Sequence, residues 1–300
     1  MICTHDSSRS INNQVTLIYI VKIAGVYRVR GESPVGSEQK KIGLALGGGS
    51  ARGFAHIGVL QVLEGAQIPI DLVVGTSMGA VIGAFYCAGI DLLLLEKMAC
   101  QLQRNFWMDW TFPRLGLAAG DKLEQLIFLL TKGKTFAQLE KYFAVVAADL
   151  RSGEKVVLQK GSVARAVRAS AAIPGVFHPV EEGDKVLVDG GVVERVPAPT
   201  ARDMGADFII AVDVGIYLGG EKPHHLLDVI TQSLDIMQRD LCRYTLEAAD
   251  VVVQPQLKEI SPGHFHKADI AIQKGREAAY EVLPQIKALL GKERLYEEAT

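Results

Sequence analysis

Three hundred residues, 49% apolar and 22% charged, supply material for a substantial core and exclude a chain that is disordered throughout. Lysine plus arginine number 32 against 34 aspartates and glutamates; that net charge of −2 gives no electrostatic ground for a nucleic-acid partner, and any membrane contact must rest on apolar surface. The four cysteines (Cys3, Cys87, Cys100, Cys242) are scattered with no CxxC pair, which argues against a disulfide framework and a structural zinc site and for a reducing compartment.

In chain order, residues 1–40 are a polar start, an apolar run (Val15 to Val26) and a second polar stretch. Lys22 interrupts the run and no small-residue cleavage site follows, so a signal peptide fits poorly. An N-terminal extension, partly disordered or adding one strand, is the reading. Ile42 to Leu46 is a short apolar strand leading into Gly47-Gly48-Gly49. A helix is predicted over about Ala51 to Gly65, with Phe54, Ile57, Leu60 and Leu63 at helical spacing. Leu72 to Ile90 contains nineteen uncharged residues, long enough to raise a membrane span. A buried strand (Asp71 to Val74), a tight turn and a small-residue helix to Ala88 explain the same hydropathy without one. Leu92 to Leu102 is helical and Asn105 to Leu117 an aromatic loop. Asp121 is placed as the cap of a helix Lys122 to Thr131. Strands follow at Tyr142 to Ala148 and Lys155 to Leu158, then a helix from Val163 to Ala171. Lys185 to Val188, Phe208 to Val212 and Val251 to Val253 are strands, and helices near 226–248 and 268–290 close the chain. Strands separated by helices call for a largely parallel sheet covered on both faces. The expected fold class is α/β: a three-layer α/β/α sandwich with a mostly parallel central sheet over residues 41–290, with 291–300 as a C-terminal tail.

Three motifs carry chemistry. Gly75-Thr76-Ser77-Met78-Gly79 is a G-x-S-x-G set between a strand and a helix, the context of a nucleophile elbow. Glycines Gly75 and Gly79 relieve the tight turn, and Ser77 stands at a helix N-terminus, where developing negative charge is favoured. Gly47-Gly48-Gly49, followed by Arg52, opens a helix after a strand, so main-chain N–H groups can converge on an anion. The spacing does not fit a dinucleotide fingerprint, and the lysine of a P-loop is absent. An oxyanion loop is the better use, with Arg52 either reinforcing the anion or forming a salt bridge. Third, Asp189-Gly190-Gly191 places a carboxylate at a strand end.

In this order the three motifs resemble those of the patatin-like phospholipase family. His56-Ile57-Gly58-Val59-Leu60, Ala148-Asp149-Leu150, Ala171-Ala172-Ile173-Pro174-Gly175-Val176-Phe177, Val196-Pro197-Ala198-Pro199 and Ala249-Asp250-Val251-Val252 extend the match over roughly residues 41–290. The resemblance is nearest to short bacterial members akin to the neuropathy-target-esterase branch. Leu46 departs from members that carry Asp before the glycines. The resemblance implies a Ser77–Asp189 catalytic dyad, an oxyanion loop of Gly47, Gly48, Gly49 and Arg52, and supporting roles for Gly75, Gly79, Gly190 and Gly191. It implies a serine acyl hydrolase of lipid esters that works through an acyl-enzyme. No metal or cofactor is expected, and the expected location is cytoplasmic, with peripheral membrane contact.

Two other functions remain open on sequence. One is an α/β-hydrolase-type esterase whose triad would run Ser77, Asp189 or Asp213, then His264 or His266. The other is a non-catalytic membrane or regulatory module. His56 reads as structural, and Trp107 and Trp110 within Phe106 to Phe112 read either as core-packing aromatics or as an interfacial lip.

Overall fold

Strand β1 (Ile42–Leu46) points Ile42, Leu44 and Leu46 to one side and Ala45 to the other, and all five of its residues are buried. The computed structural model describes residues 40–101, 109, 115–215, 222 and 226–297, which fall in one compact unit, Gln39–Thr300. After β1 a 3₁₀ turn (Ser50–Phe54) leads into α1 (Ala55–Gly65) and then β2 (Leu72–Thr76), α2 (Met78–Cys87) and α3 (Leu92–Gln101). Next come β3 (Gly116–Ala118), α4 (Asp121–Leu130), β4 (Tyr142–Asp149), β5 (Lys155–Leu158), α5 (Val163–Ser170) and β6 (Gly175–Phe177). The chain continues through β7 (Val180–Glu182), β8 (Lys185–Asp189), α6 (Ala198–Asp203) and β9 (Phe208–Val212). Helix α7 (Leu226–Leu246), β10 (Val251–Val253) and α8 (Ala268–Glu297) complete it.

The hydrogen-bonded strand path is β10-β9-β1-β2-β4-β8-β7, with β5 also on β4; β3 and β6 form a separate pair. From β10 to β4 the neighbours are parallel, so their carboxyl ends share one edge. Large side chains (Leu44, Leu46, Val73, Ile210, Val212) pack toward α1, α2, α3 and α8. On the other face Ala45, Val74, Ala144 and Ala211 meet Ala198 and Ala201 of α6 and Cys242 of α7. Small residues there let helices sit close to the sheet. The α/β/α layering and mostly parallel sheet expected from the sequence are thus present.

The register of β4 positions the site. Its residues Tyr142 to Val146 pair with β2, and Ala147 to Asp149 pair with β8 in the antiparallel sense. Strand β5 pairs with Val145 to Ala148 and so occupies the opposite edge of both stretches. Strands β2 and β8 therefore lie end to end along one edge of β4. Thr76 stands opposite Val146 and Asp189 opposite Ala147, so the two carboxyl ends meet.

Several expectations shift. The predicted helix from Ala51 begins as a 3₁₀ turn, and α8 runs through Pro284 to Glu297, beyond the boundary at 290. The cap of α4 is not Asp121: the Asp109 carboxylate accepts from the amides of Gly120, Asp121 and Lys122, because it reaches back from the preceding loop. Leu72 to Ile90 divides into β2, a turn and α2, and no helix among the described residues is long and apolar enough to cross a membrane. The extension 1–39 and the aromatic segment 106–112, apart from Asp109, lie outside the described residues.

Candidate active site

Ser77 is the single residue between β2 and α2, with φ 55° and ψ −123°, a left-handed conformation strained for a serine. The turn is so tight that the glycines two residues to either side have no room for a side chain. A Cβ on Gly75 would lie 2.5 Å from Ala80 Cα, and one on Gly79 2.1 Å from the Leu46 carbonyl oxygen. The turn drives the Ser77 hydroxyl toward β8, where it donates to Asp189 Oδ2 at 2.5 Å. The other carboxylate oxygen accepts from the Gly191 amide at 2.8 Å. Gly190 lies hard against the main chain of β4; a Cβ there would be 2.2 Å from the Val146 oxygen. Asp189 is buried, and burial pushes its pKa up to about 6 against the lowering pull of Ser77, the Gly191 amide and the Arg195 charge.

The glycine loop lies beside this pair, and a Cβ on Gly48 would come within 3.2 Å of Ser77 Cβ. Its amides are not equivalent. Gly47 N–H donates to Val212 O at 3.0 Å and Gly48 N–H to Arg195 O at 2.9 Å. These two glycines therefore anchor the loop, which narrows the sequence expectation for an oxyanion site. Among the described residues, the amides of Gly49, Ser50, Met78 and Gly79 donate to no acceptor. Arg52 is buried and sends Nε to the Ile260 oxygen at 2.7 Å and Nη1 to the Gly215 oxygen at 3.3 Å. Its guanidinium ties down loops where the sequence had left reinforcement of an anion open. His56 is fully buried, and its Nε2 meets the Gly47 oxygen at 2.7 Å. Burial lowers its pKa to about 4, so it is a neutral donor holding the loop, the structural role expected.

Two residues of the site were not singled out by sequence. Ser170, at the end of α5, accepts the Ser77 amide on Oγ at 2.9 Å and donates to the Val146 oxygen at 2.6 Å. Arg195 pairs with Asp213 at 3.0 Å and donates to the Gly215 oxygen at 2.7 Å. The only signal for either was proximity to a quoted motif. Asp213 also accepts from the Gly215 amide and from Gln254. His264 and His266 stand as a tilted ring pair around a 3₁₀ turn (Phe265–Lys267). Among the described residues no histidine hydrogen-bonds to Ser77 or Asp189, and no cluster of three metal-ligating side chains occurs.

A family model described as patatin-like phospholipase matches residues 44–202. Uncharacterized NTE family proteins of Mycobacterium bovis and Mycobacterium tuberculosis are 30% identical over 275 residues, covering 81% of this chain and 46% of theirs. A lysophospholipase, NTE1, of Pyricularia oryzae is 35% identical over 187 residues, covering 59% of this chain and 12% of that protein. The chain thus spans about half the length, or less, of these curated relatives. Among solved structures, VipD from Legionella pneumophila superposes with a TM-score of 0.60 at 14% identity, covering 83% of this chain and 67% of that one, a likeness of fold. With the family model spanning more than half of its length and the strand–serine–helix turn set against the D-G-G strand, the chain belongs to the patatin-like phospholipase family.

Proposed function

We propose that the protein is a serine hydrolase of lipid acyl esters, lysophospholipids foremost, working through Ser77 and Asp189. The observation that carries this reading is the 2.5 Å hydrogen bond from a strained, elbow-mounted Ser77 to a buried carboxylate whose pKa lies at about 6. Such a carboxylate is a stronger base than an ordinary aspartate and is still ionised at neutral pH. Ser77 Oγ attacks the ester carbonyl as its proton passes to Asp189. The oxyanion is received by the uncommitted amides of Gly49 and Ser50, with Met78 at the positive end of α2. Asp189 returns the proton to the departing alcohol oxygen, leaving an acyl-Ser77. Water then gives its proton to the same carboxylate as it attacks the acyl carbon, and Asp189 passes that proton to Ser77 Oγ as the acyl–oxygen bond breaks and the fatty acid leaves.

The substrate class is supported by the family and by the lysophospholipase name of the fungal relative. Peripheral membrane contact is supported by α7, which exposes Val229, Ile236, Met237, Leu241 and Tyr244 on one side. Turnover of lysophosphatidylcholine and p-nitrophenyl butyrate tests the reading. Ser77→Ala and Asp189→Asn should each abolish it, and the double variant should be little worse than either, since the two act as a unit. A folded His264→Gln or His266→Gln variant as inactive as Ser77→Ala would restore the histidine triad.

A further inference from the structure

A cavity of about 310 Å³ opens at the carboxyl ends of β9 and β10, beneath α7. Its walls include Arg195, Arg239, Arg243, Gln254, Gln256 and Asp213, and the Gln254 amide donates to Asp213 at 3.3 Å. Asp213 is already neutralised by Arg195 at 3.0 Å, so the remaining charge is positive. Among the described residues Arg239 meets the exposed Asp240 beside it, at 3.5 Å, and such a pair contributes little. Asp235, one turn before Arg239, is half-buried and interacts with the charges of Arg195 and Arg52, while burial raises its pKa. Arg243 has no hydrogen bond or ion pair among the described residues. Arginines converging on a cavity with side-chain amides around them form a site for a tetrahedral oxyanion.

The cavity also faces the right way. Ser77 follows β2, and β1 and β9 are its next neighbours toward the cavity, a lateral step of roughly 10 Å at normal strand spacing. Arg195 spans part of that step, since its Nη2 lies 3.5 Å from where a Gly49 Cβ would be. Helix α7 runs along it as well, with Gln238 Nε2 3.2 Å from the corresponding point on Gly191 and Arg239, Cys242 and Arg243 on the cavity. An ester bound at Ser77 would therefore extend the polar end of its glycerol unit toward these arginines.

We propose that this cavity receives the phosphodiester of the substrate's head group, held by Arg239 and Arg243 and backed by Arg195. The assignment rests on the Ser77–Asp189 reading and makes the enzyme selective for phosphate-bearing lipids over neutral glycerides. The test compares kcat/KM for lysophosphatidylcholine with that for a monoacylglycerol of the same chain. Arg239→Gln with Arg243→Gln should lower that ratio about tenfold, a loss of about 1.4 kcal/mol, mostly through KM for the phosphate-bearing substrate. Arg243→Lys with Arg239→Lys should recover part of it. In parallel, sn-glycero-3-phosphocholine and inorganic phosphate are titrated calorimetrically into the Ser77→Ala protein, which cannot turn over. Binding of the phosphodiester that the double Gln substitution weakens supports the proposal. An unchanged ratio overturns it, and if inorganic phosphate still binds through the arginines, the cavity is a site for a free anion instead. Should wild-type protein hydrolyse no ester while the phosphodiester titrates normally, the Ser77 reading fails and the cavity assignment does not.

Discussion

Asp189 feels its burial in both rate and stability. On the proposed mechanism Asp189 must be ionised to accept the Ser77 proton, so kcat/KM for p-nitrophenyl butyrate should rise with pH along a limb centred near 6. His56, at about 4, is neutral throughout that range. The limb should survive replacement of His178, His264 or His266 by Gln; its disappearance in one of these variants would point to an imidazole base. The same raised pKa means the folded state holds this proton more tightly than the unfolded chain. Stability from this group is complete below pH 4 and is lost as pH rises through about 6, where the ionised carboxylate stands in a buried site. Going from 3.8 to about 6, that loss amounts to about 3 kcal/mol. Asp189→Asn should then be inactive, yet more stable than wild type at pH 8 by up to that amount and level with it near pH 4. Urea unfolding at the two pH values measures the difference, and a variant less stable at pH 8 contradicts it.

At the level of elements, the end of α5 ties Ser77 and Asp189 together. Ser170 Oγ takes the Ser77 amide, and two residues later the Ala172 oxygen accepts from the Asp189 amide at 3.0 Å. Ser170→Ala leaves the Ser77 amide and the Val146 carbonyl buried without that hydroxyl, at about 2 kcal/mol of stability. The hydroxyl touches no reacting atom, so its loss should lower kcat through misplacement of Ser77 while KM changes little. A KM effect equal to the kcat effect would deny it this positioning role. Nothing in the order of residues announces Ser170, because its partners lie 93 and 24 residues away. Local signals fared better: β1, β9 and β10 end where the apolar runs end, since turn chemistry and burial agree there. The elbow was legible because a glycine on each side of a serine has one steric purpose. Helix α6 was not, as Pro197 and Pro199 within six residues mask a turn that only packing on the Ala45 face sustains. The partners of the Gly47 and Gly48 amides were not legible either. The acceptors that claim these amides are the carbonyls of Val212, in β9, and of Arg195, in the loop before α6, both far along the chain.

Across the whole molecule, the polar chemistry gathers along the carboxyl edge of the parallel strands, the place where open α/β sheets bind ligands. Helix α7 crosses that edge. Its inner side carries Gln238 and the cavity-lining Arg239, Cys242 and Leu246, and its outer side carries Met237, Leu241 and Tyr244 at helical spacing, all exposed. An amphiphilic substrate would leave a bilayer most directly beneath such a helix, its chain passing along the apolar face and its head group toward the arginines. The net charge of −2 supplies no long-range pull toward anionic lipid, so the proposed contact would rest on these side chains. Partial burial of each contributes about 1 kcal/mol, enough together for weak, reversible binding. Co-sedimentation with neutral phosphatidylcholine vesicles should therefore detect binding that changes little between low and high salt and gains little from added phosphatidylserine. Replacing Met237, Leu241 and Tyr244 together by Ser should reduce the bound fraction severalfold. It should also lower turnover of vesicle-held lysophospholipid relative to turnover of a monomeric short-chain ester. Binding that requires phosphatidylserine, or a triple variant that sediments as wild type does, would mean that another surface meets the membrane and that the exposed side of α7 is covered by something other than lipid.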